Sequence, residues 1–133
     1  MCRKSKDCGK TKYVQGGLSY EGNGSKKRPY NSLVFAQQDK SWETLVVLPS
    51  QVPLDFGIKM RSGTKLIGES CNGNKPIITN TSSESNSGFG VITHGNVTIK
   101  NIHIKDTWSS AINYSDSCNL SVCNVLITGY NQG

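Results

Sequence analysis

"NVTIKNIHIKD" (residues 96–106) and "NLSVCNVLITG" (residues 119–129) decide how this chain is read. Each is a short alternating run, an asparagine, and a second short run. Val97 and Ile99 point one way and Thr98 and Lys100 the other, the period-2 signature of a β-strand. Laid on one another, the two stretches match Val97 to Leu120, Ile99 to Val122, Asn101 to Asn124, Ile102 to Val125 and Ile104 to Ile127. The chain writes one apolar rhythm twice.

The same rhythm extends upstream. "TLVVLP" (44–49), "GIKM" (57–60), "TKLIGE" (64–69), "PIIT" (76–79), "FGVIT" (89–93) and "AINY" (111–114) are short apolar runs separated by Gly, Ser, Asn and Asp. Leu45-Val46-Val47 and Lys65-Leu66-Ile67 take the slot of Val97–Ile99, while "GIKM", "GVIT" and "AINY" echo one another. A unit of such short strands cannot bury its apolar side alone. Stacked units bury it together, each strand pairing with its counterpart about 4.8 Å away. Val, Ile and Leu then line a narrow interior, and Thr98, Lys100, His103 and Lys105 face water.

The asparagines fit the same scheme. Between Ile99 and Ile102 the chain must turn sharply without proline, and Asn tolerates the left-handed conformation. One unit above another, Asn101 and Asn124 are placed to bond amide to amide, forming a buried structural ladder that satisfies itself.

Composition agrees with an all-β chain. Of 133 residues, 35% are hydrophobic and 8% aromatic, low for a broad two-layer core, while Gly, Ser, Asn and Thr abound. No apolar run reaches the length of a membrane-spanning helix. Charge is uneven. Residues 1–30 hold eight Lys or Arg against Asp7 and Glu21, whereas residues 31–133 hold seven of each sign. The first twelve residues, "MCRKSKDCGKTK", read as a basic flexible arm lacking the apolar stretch of a secretion signal. Such an arm attracts polyanions, although nucleic acid is the weakest of those partners because no aromatic residues interleave with the first lysines. The five cysteines, Cys2, Cys8, Cys71, Cys118 and Cys123, have no zinc-like spacing. Free, partly buried thiols and synthesis in a reducing compartment are expected. Five Asn-x-Ser/Thr tripeptides begin at Asn23, Asn80, Asn96, Asn113 and Asn119 and matter only in a secretory pathway.

Residues 13–43 form a lead-in segment and residues 44–133 the repeated strands. "RPYNSLVFAQQDK" offers Asn31 or Ser32 as N-cap and Leu33, Phe35 and Ala36 as an apolar face, predicting a two-turn helix. Alone it would be unstable, so it must pack on something; it is placed to cover the first end of the stack. Nothing comparable covers the other end, at "TGYNQG", where a longer chain or a partner chain is expected. "GNGSKK" (22–27) lacks the P-loop spacing.

"GNGSKKRPYNSLVFAQ", "TLVVLP" and "GIKMRSGTKLIGES" together resemble the opening of right-handed parallel β-helix proteins of the pectin-lyase-like kind, over about residues 13–130. The resemblance implies a β-helical solenoid with a short N-terminal capping helix. It leaves function open, because the superfamily spans lyases, hydrolases, tailspikes, adhesins and inactive members. Neither familiar catalytic set is carried over. Polygalacturonase-like members carry NTD, a DD pair, GHG and RIK, whereas this chain has "NTS" (80–82), "THG" (93–95) and no DD pair. Asp106 and Asp116 are the only acids after Glu84, and the last arginine is Arg61, whereas pectate-lyase-like members need several acids for calcium and an arginine as base.

The suggestive surface is Lys100, His103, Lys105, Asp106 and Trp108, with His94 nearby. Basic residues beside an exposed Trp suit an acidic sugar, and a His–Asp pair suits acid–base work. The plainer account of the same residues is that they solvate a strand and that Trp108 covers a turn. No metal site and no cofactor are expected. The resulting expectation is a non-catalytic structural or glycan-binding module, as in virion, tail-fibre or surface proteins, with an acidic polysaccharide as ligand and self-association at the open end. The alternative is the first part of a polysaccharide lyase or glycoside hydrolase whose catalytic residues lie outside this chain.

Overall fold

A computed structural model describes residues 10–115 and 119–129. It is built mainly of strands, all paired in parallel. In order these are β1 (Thr11–Val14), β2 (Thr44–Val47), β3 (Ile58–Lys59), β4 (Thr64–Gly68), β5 (Ile77–Asn80), β6 (Val91–Thr93), β7 (Val97–Lys100), β8 (His103–Thr107), β9 (Ile112–Tyr114), β10 (Leu120–Cys123) and β11 (Leu126–Thr128), with helix α1 (Leu33–Gln38) between β1 and β2. Sheet I runs β1-β2-β4-β7-β10, sheet II β5-β8-β11 and sheet III β3-β6-β9. From β4 on, the chain visits the sheets in fixed rotation: β4, β5, β6, then β7, β8, β9, then β10, β11. Leu54, bridged to Ile78, holds the sheet II position between β2 and β3.

The register turns this rotation into continuous apolar columns. Leu45, Leu66, Ile99 and Val122 are mutual partners across sheet I. Leu54, Ile78, Ile104 and Ile127 align across sheet II, and Ile58, Val91 and Ile112 across sheet III. The earlier members are buried, each contributing about 1.5–3 kcal/mol on removal from water. The final row departs from the expected greasy interior. Val122, Leu126 and Ile127 are exposed and Leu120 only partly buried. They continue the columns in register, but no described strand lies beyond them, so one side of each stays in water.

The opposite end is covered, partly as the sequence predicts. Ser32 is the N-cap of α1: its hydroxyl accepts from Phe35 N at 3.2 Å. Leu33 and Ala36 are fully buried. The Gln37 side chain accepts from Lys59 N at 2.9 Å, satisfying a backbone donor on the free edge of β3. Trp42, buried, donates its indole N–H to Ala36 O at 2.8 Å. Arg61 lies 4.6 Å over its ring and donates to Trp42 O at 2.7 Å.

β1 was not foreseen. Thr11 and Lys12 belong to a strand paired with β2, so the region expected as arm over residues 1–12 ends in ordered sheet. The signal was masked because "KTKYV" carries its lysines beside its strand formers, and charge was read ahead of pairing. Beyond β1 the chain doubles back. Tyr13 N donates to Gly24 O at 2.7 Å and Gln15 N to Tyr30 O at 2.9 Å, which covers the outer edge of β1. Cys71 and Cys123 are free and exposed rather than partly buried; Cys2, Cys8 and Cys118 lie outside the described residues.

This return is fastened by side chains. Tyr30 Oη donates to Asp39 Oδ2 at 2.7 Å, and Lys12 Nζ lies 3.8 Å from the same oxygen. Burial pushes the Asp39 carboxyl up, but hydrogen bonds from Ser41 and Tyr30 outweigh it and hold it at about 2. Burial, then the bond to Asp39 and its charge, push Tyr30 up to about 12. Folded Asp39 binds its proton less tightly than the unfolded chain does. Its contribution is therefore present above its ordinary 3.8 and lost as pH falls toward 2. Folded Tyr30 binds its proton more tightly, so its contribution is complete below its ordinary 10.0 and lost as pH rises toward 12. Thermal unfolding followed against pH should show a plateau between those limits. Tyr30→Phe should flatten the alkaline limb; an unchanged alkaline limb would show that the clasp does not govern it.

Candidate functional site

β8 places His103 and Lys105 on its outer side by strand alternation, with Ile104 turned inward and buried. Asp106 interrupts the alternation. Ile78 pairs with Ile104 but Asn80 with Thr107, so one β5 residue faces two on β8. Asp106, at φ 53, supplies the left-handed step of this bulge and is itself exposed. The bulge returns Thr107 to the interior, where it is buried.

Trp108 follows and is 51% exposed. It is held from beneath. Trp108 N donates to Asn80 O at 2.7 Å, and Ser109 N to Gly88 O at 2.8 Å. A Cβ at Gly88 would lie only 2.8 Å from the indole Cδ1, so glycine is required for the ring to sit there. Asn80 anchors this turn: fully buried, it donates Nδ2 to Ser85 O at 2.7 Å and Phe89 O at 2.9 Å. The asparagine of "NTS" is thus structural and closed to glycosylation in the folded chain. Asn23, Asn96, Asn113 and Asn119 are exposed.

At the other end of β8, His103 borders a cleft of about 360 Å³ lined by Ser50, Gln51, Asn74, Lys75, Ile77 and Leu126 among others. Its Nε2 lies 2.7 Å from Thr128 Oγ1. Burial, then the charges of Lys105 and Lys75, hold the imidazole below its ordinary value, with Asp106 pulling weakly the other way. His103 is therefore neutral at pH 7, and the positive charge here comes from Lys75 and Lys105. Among the described residues no carboxylate hydrogen-bonds His103, so the structure does not assemble the His–Asp acid–base pair. Nor do they include a group of three His, Cys, Asp or Glu near enough to hold a metal ion.

Four of the five candidate residues, His103, Lys105, Asp106 and Trp108, thus form a line rather than a cluster. His103 and Trp108 stand at opposite ends of β8, roughly 15 Å apart at strand spacing. Lys100 is not on that line. It ends β7 in sheet I, paired between Ile67 and Cys123, on the far side of the Asn101 turn. Strand alternation made Lys100 and His103 look like neighbours, but a change of sheet lies between them. Lys75, Asn74 and Gln51 join the cleft unforeseen, because they sit in turns of unequal length. The available clue was that "LPSQVP" and "CNGNKP" follow equivalent strands.

The two asparagines do meet. Asn124 Nδ2 donates to Asn101 Oδ1 at 2.8 Å, and Asn101 Nδ2 donates to Gly68 O at 2.9 Å and Ser70 Oγ at 2.6 Å. Both are left-handed, at φ 56 and φ 58. The ladder lies at the surface, not in the interior: Asn101 is partly buried and Asn124 exposed. Each amide donates toward the earlier strand, so the ladder has a direction.

No family model, curated protein or solved structure matches the chain.

Asn101→Ala removes the amide bonds and leaves in left-handed backbone a residue that tolerates it less well than asparagine, whereas Asn101→Gly removes the bonds but suits that backbone. Urea unfolding should show a loss of about 2 kcal/mol or more for Ala and about 1 kcal/mol for Gly. Equal losses would show that backbone conformation is not what asparagine supplies here.

Proposed function

We propose that the chain is a right-handed parallel β-helix of the pectin-lyase-like kind, acting as a non-catalytic scaffold that binds an extended acidic glycan along β8. The fold reading rests on the fixed rotation among three parallel sheets, the in-register aliphatic columns, and a helix that closes the first end. No described helix is long and apolar enough to cross a membrane.

The observation that carries the binding reading is the line that runs from His103 and Lys105 on β8 to Trp108 in the turn just after it. An indole pinned over Gly88 presents its face to a sugar ring at little entropic cost. Lys105 and Lys75 meet carboxylates, and neutral His103 and Gln51 offer hydrogen bonds to hydroxyls. A spacing of roughly 15 Å fits a ligand several sugars long rather than a small molecule. The site offers positioning without acid–base machinery, since the imidazole is turned to Thr128 and the nearest acid, Asp106, makes no bond to it.

Tryptophan fluorescence gives a direct test. Trp42 is buried and Trp108 half-exposed, and the chain has no other tryptophan. Titration with acidic oligosaccharides should shield Trp108 from acrylamide. Trp108→Ala should weaken binding about five- to tenfold. Unchanged affinity in that variant would eliminate the β8 line as the site.

A further inference from the structure

We propose that the loop Gly22–Arg28 is a preformed electrostatic site for a sulfated or carboxylated glycan, separate from the β8 line. It lies beside β1, at the opposite end of sheet I from β10.

Residues 10–30 carry five cations, Lys10, Lys12, Lys26, Lys27 and Arg28, against one acid, Glu21. Three of the cations are consecutive and all three are exposed. Side by side they repel, and a slack loop would let them splay. This loop is not slack. Asn23 N and Gly24 N both donate to Arg28 O, at 2.9 and 3.0 Å. Arg28 N donates to Ser25 O and to Ser25 Oγ, both at 3.2 Å, and Ser25 N donates to Asn23 Oδ1 at 3.0 Å. Gly24, at φ 86, has the Tyr30 ring where a Cβ would lie, 2.6 Å away. Its carbonyl is held by Tyr13 N, and Lys12 Nζ donates to Asn23 O at 3.3 Å.

The bonds therefore close the loop entirely through backbone and through Asn23 and Ser25. The side chains of Lys26, Lys27 and Arg28 take no part, and among the described residues none of them is in an ion pair. The backbone fixes where the three side chains leave the loop, so an anion must order the side chains but not the loop itself.

The chemistry favours an acidic polysaccharide over nucleic acid. Tyr30, the aromatic packed beneath the loop, lies under Gly24 with its hydroxyl committed to Asp39 and is not free to stack on a base. Duplex binding rests on a broad basic face, whereas residues 31–133 are balanced in charge. A compact triplet suits the locally dense anions of a sulfated or uronic-acid chain.

The test uses the full chain and a size-defined heparin fragment. Binding should weaken steeply between about 50 and 200 mM salt. The triple variant Lys26→Gln, Lys27→Gln, Arg28→Gln should lose about tenfold or more in affinity. Its thermal midpoint should not fall below the wild-type value, since among the described residues no internal bond uses those side chains. Lys65→Gln, which removes an exposed lysine on β4 outside both sites, should leave heparin binding unchanged, which ties the loss to this loop rather than to net charge. Equal binding by the triple variant, a matching loss in Lys65→Gln, absence of heparin binding, or tighter binding to duplex DNA of equal charge would each overturn the assignment.

Discussion

Backbone pairing between successive passes of the chain is the constraint from which the other features follow. In a parallel ladder each residue sits over its partner, so whatever lies at Leu66 recurs at Ile99 and again at Val122. A slip of one residue would turn every inward side chain outward. That explains why the short strands tolerate so little variation: Leu45, Leu66 and Ile99, or Leu54, Ile78 and Ile104, are all aliphatic and all buried. Variation is confined to the connections. β7 and β8 are joined through Asn101 and Ile102, whereas β4 and β5 are joined by a loop closed on itself by the Cys71–Asn74 bridge.

Ends are where parallel pairing leaves donors and apolar faces unused. The first end recruits unlike parts to satisfy them. A glutamine side chain serves β3, a helix and a tryptophan fill the space below, and β1 with its return loop closes sheet I. The Tyr30–Asp39–Lys12 contact draws the return loop, the helix C-terminus and β1 together. The Gly22–Arg28 loop is tied to the same assembly, through Lys12 Nζ to Asn23 O and Tyr13 N to Gly24 O. The surface chemistry there is a consequence of how the end is closed.

The β8 line shows how a surface borrows from architecture. Strand alternation delivers His103 and Lys105, but the bulge at Asp106 and the cradle at Gly88 bring Trp108 onto the same outer surface. The pattern of "HIKDTW" revealed the residues. It did not reveal that Lys100 belongs to another sheet, because alternation counts faces and not corners. The cleft beside His103 was also illegible: Gln51 and Lys75 are turn residues, and their meeting depends on how two loops of different length lie over one strand.

The sequence by itself determined most of the strands from β2 on, the pairing of the last two repeats and the asparagine turns, because these depend on local alternation and on one residue type's tolerance of positive φ. The matches Val97 to Leu120, Ile104 to Ile127 and Asn101 to Asn124 were all readable from spacing. Only the tertiary structure decided which aliphatic side chains are covered, which strand shields β2, and which polar residues share a surface. Burial and adjacency depend on what is packed against a residue from elsewhere in the chain. Val122 and Ile99 look alike in sequence, and they differ because one has neighbours on both sides and the other on one.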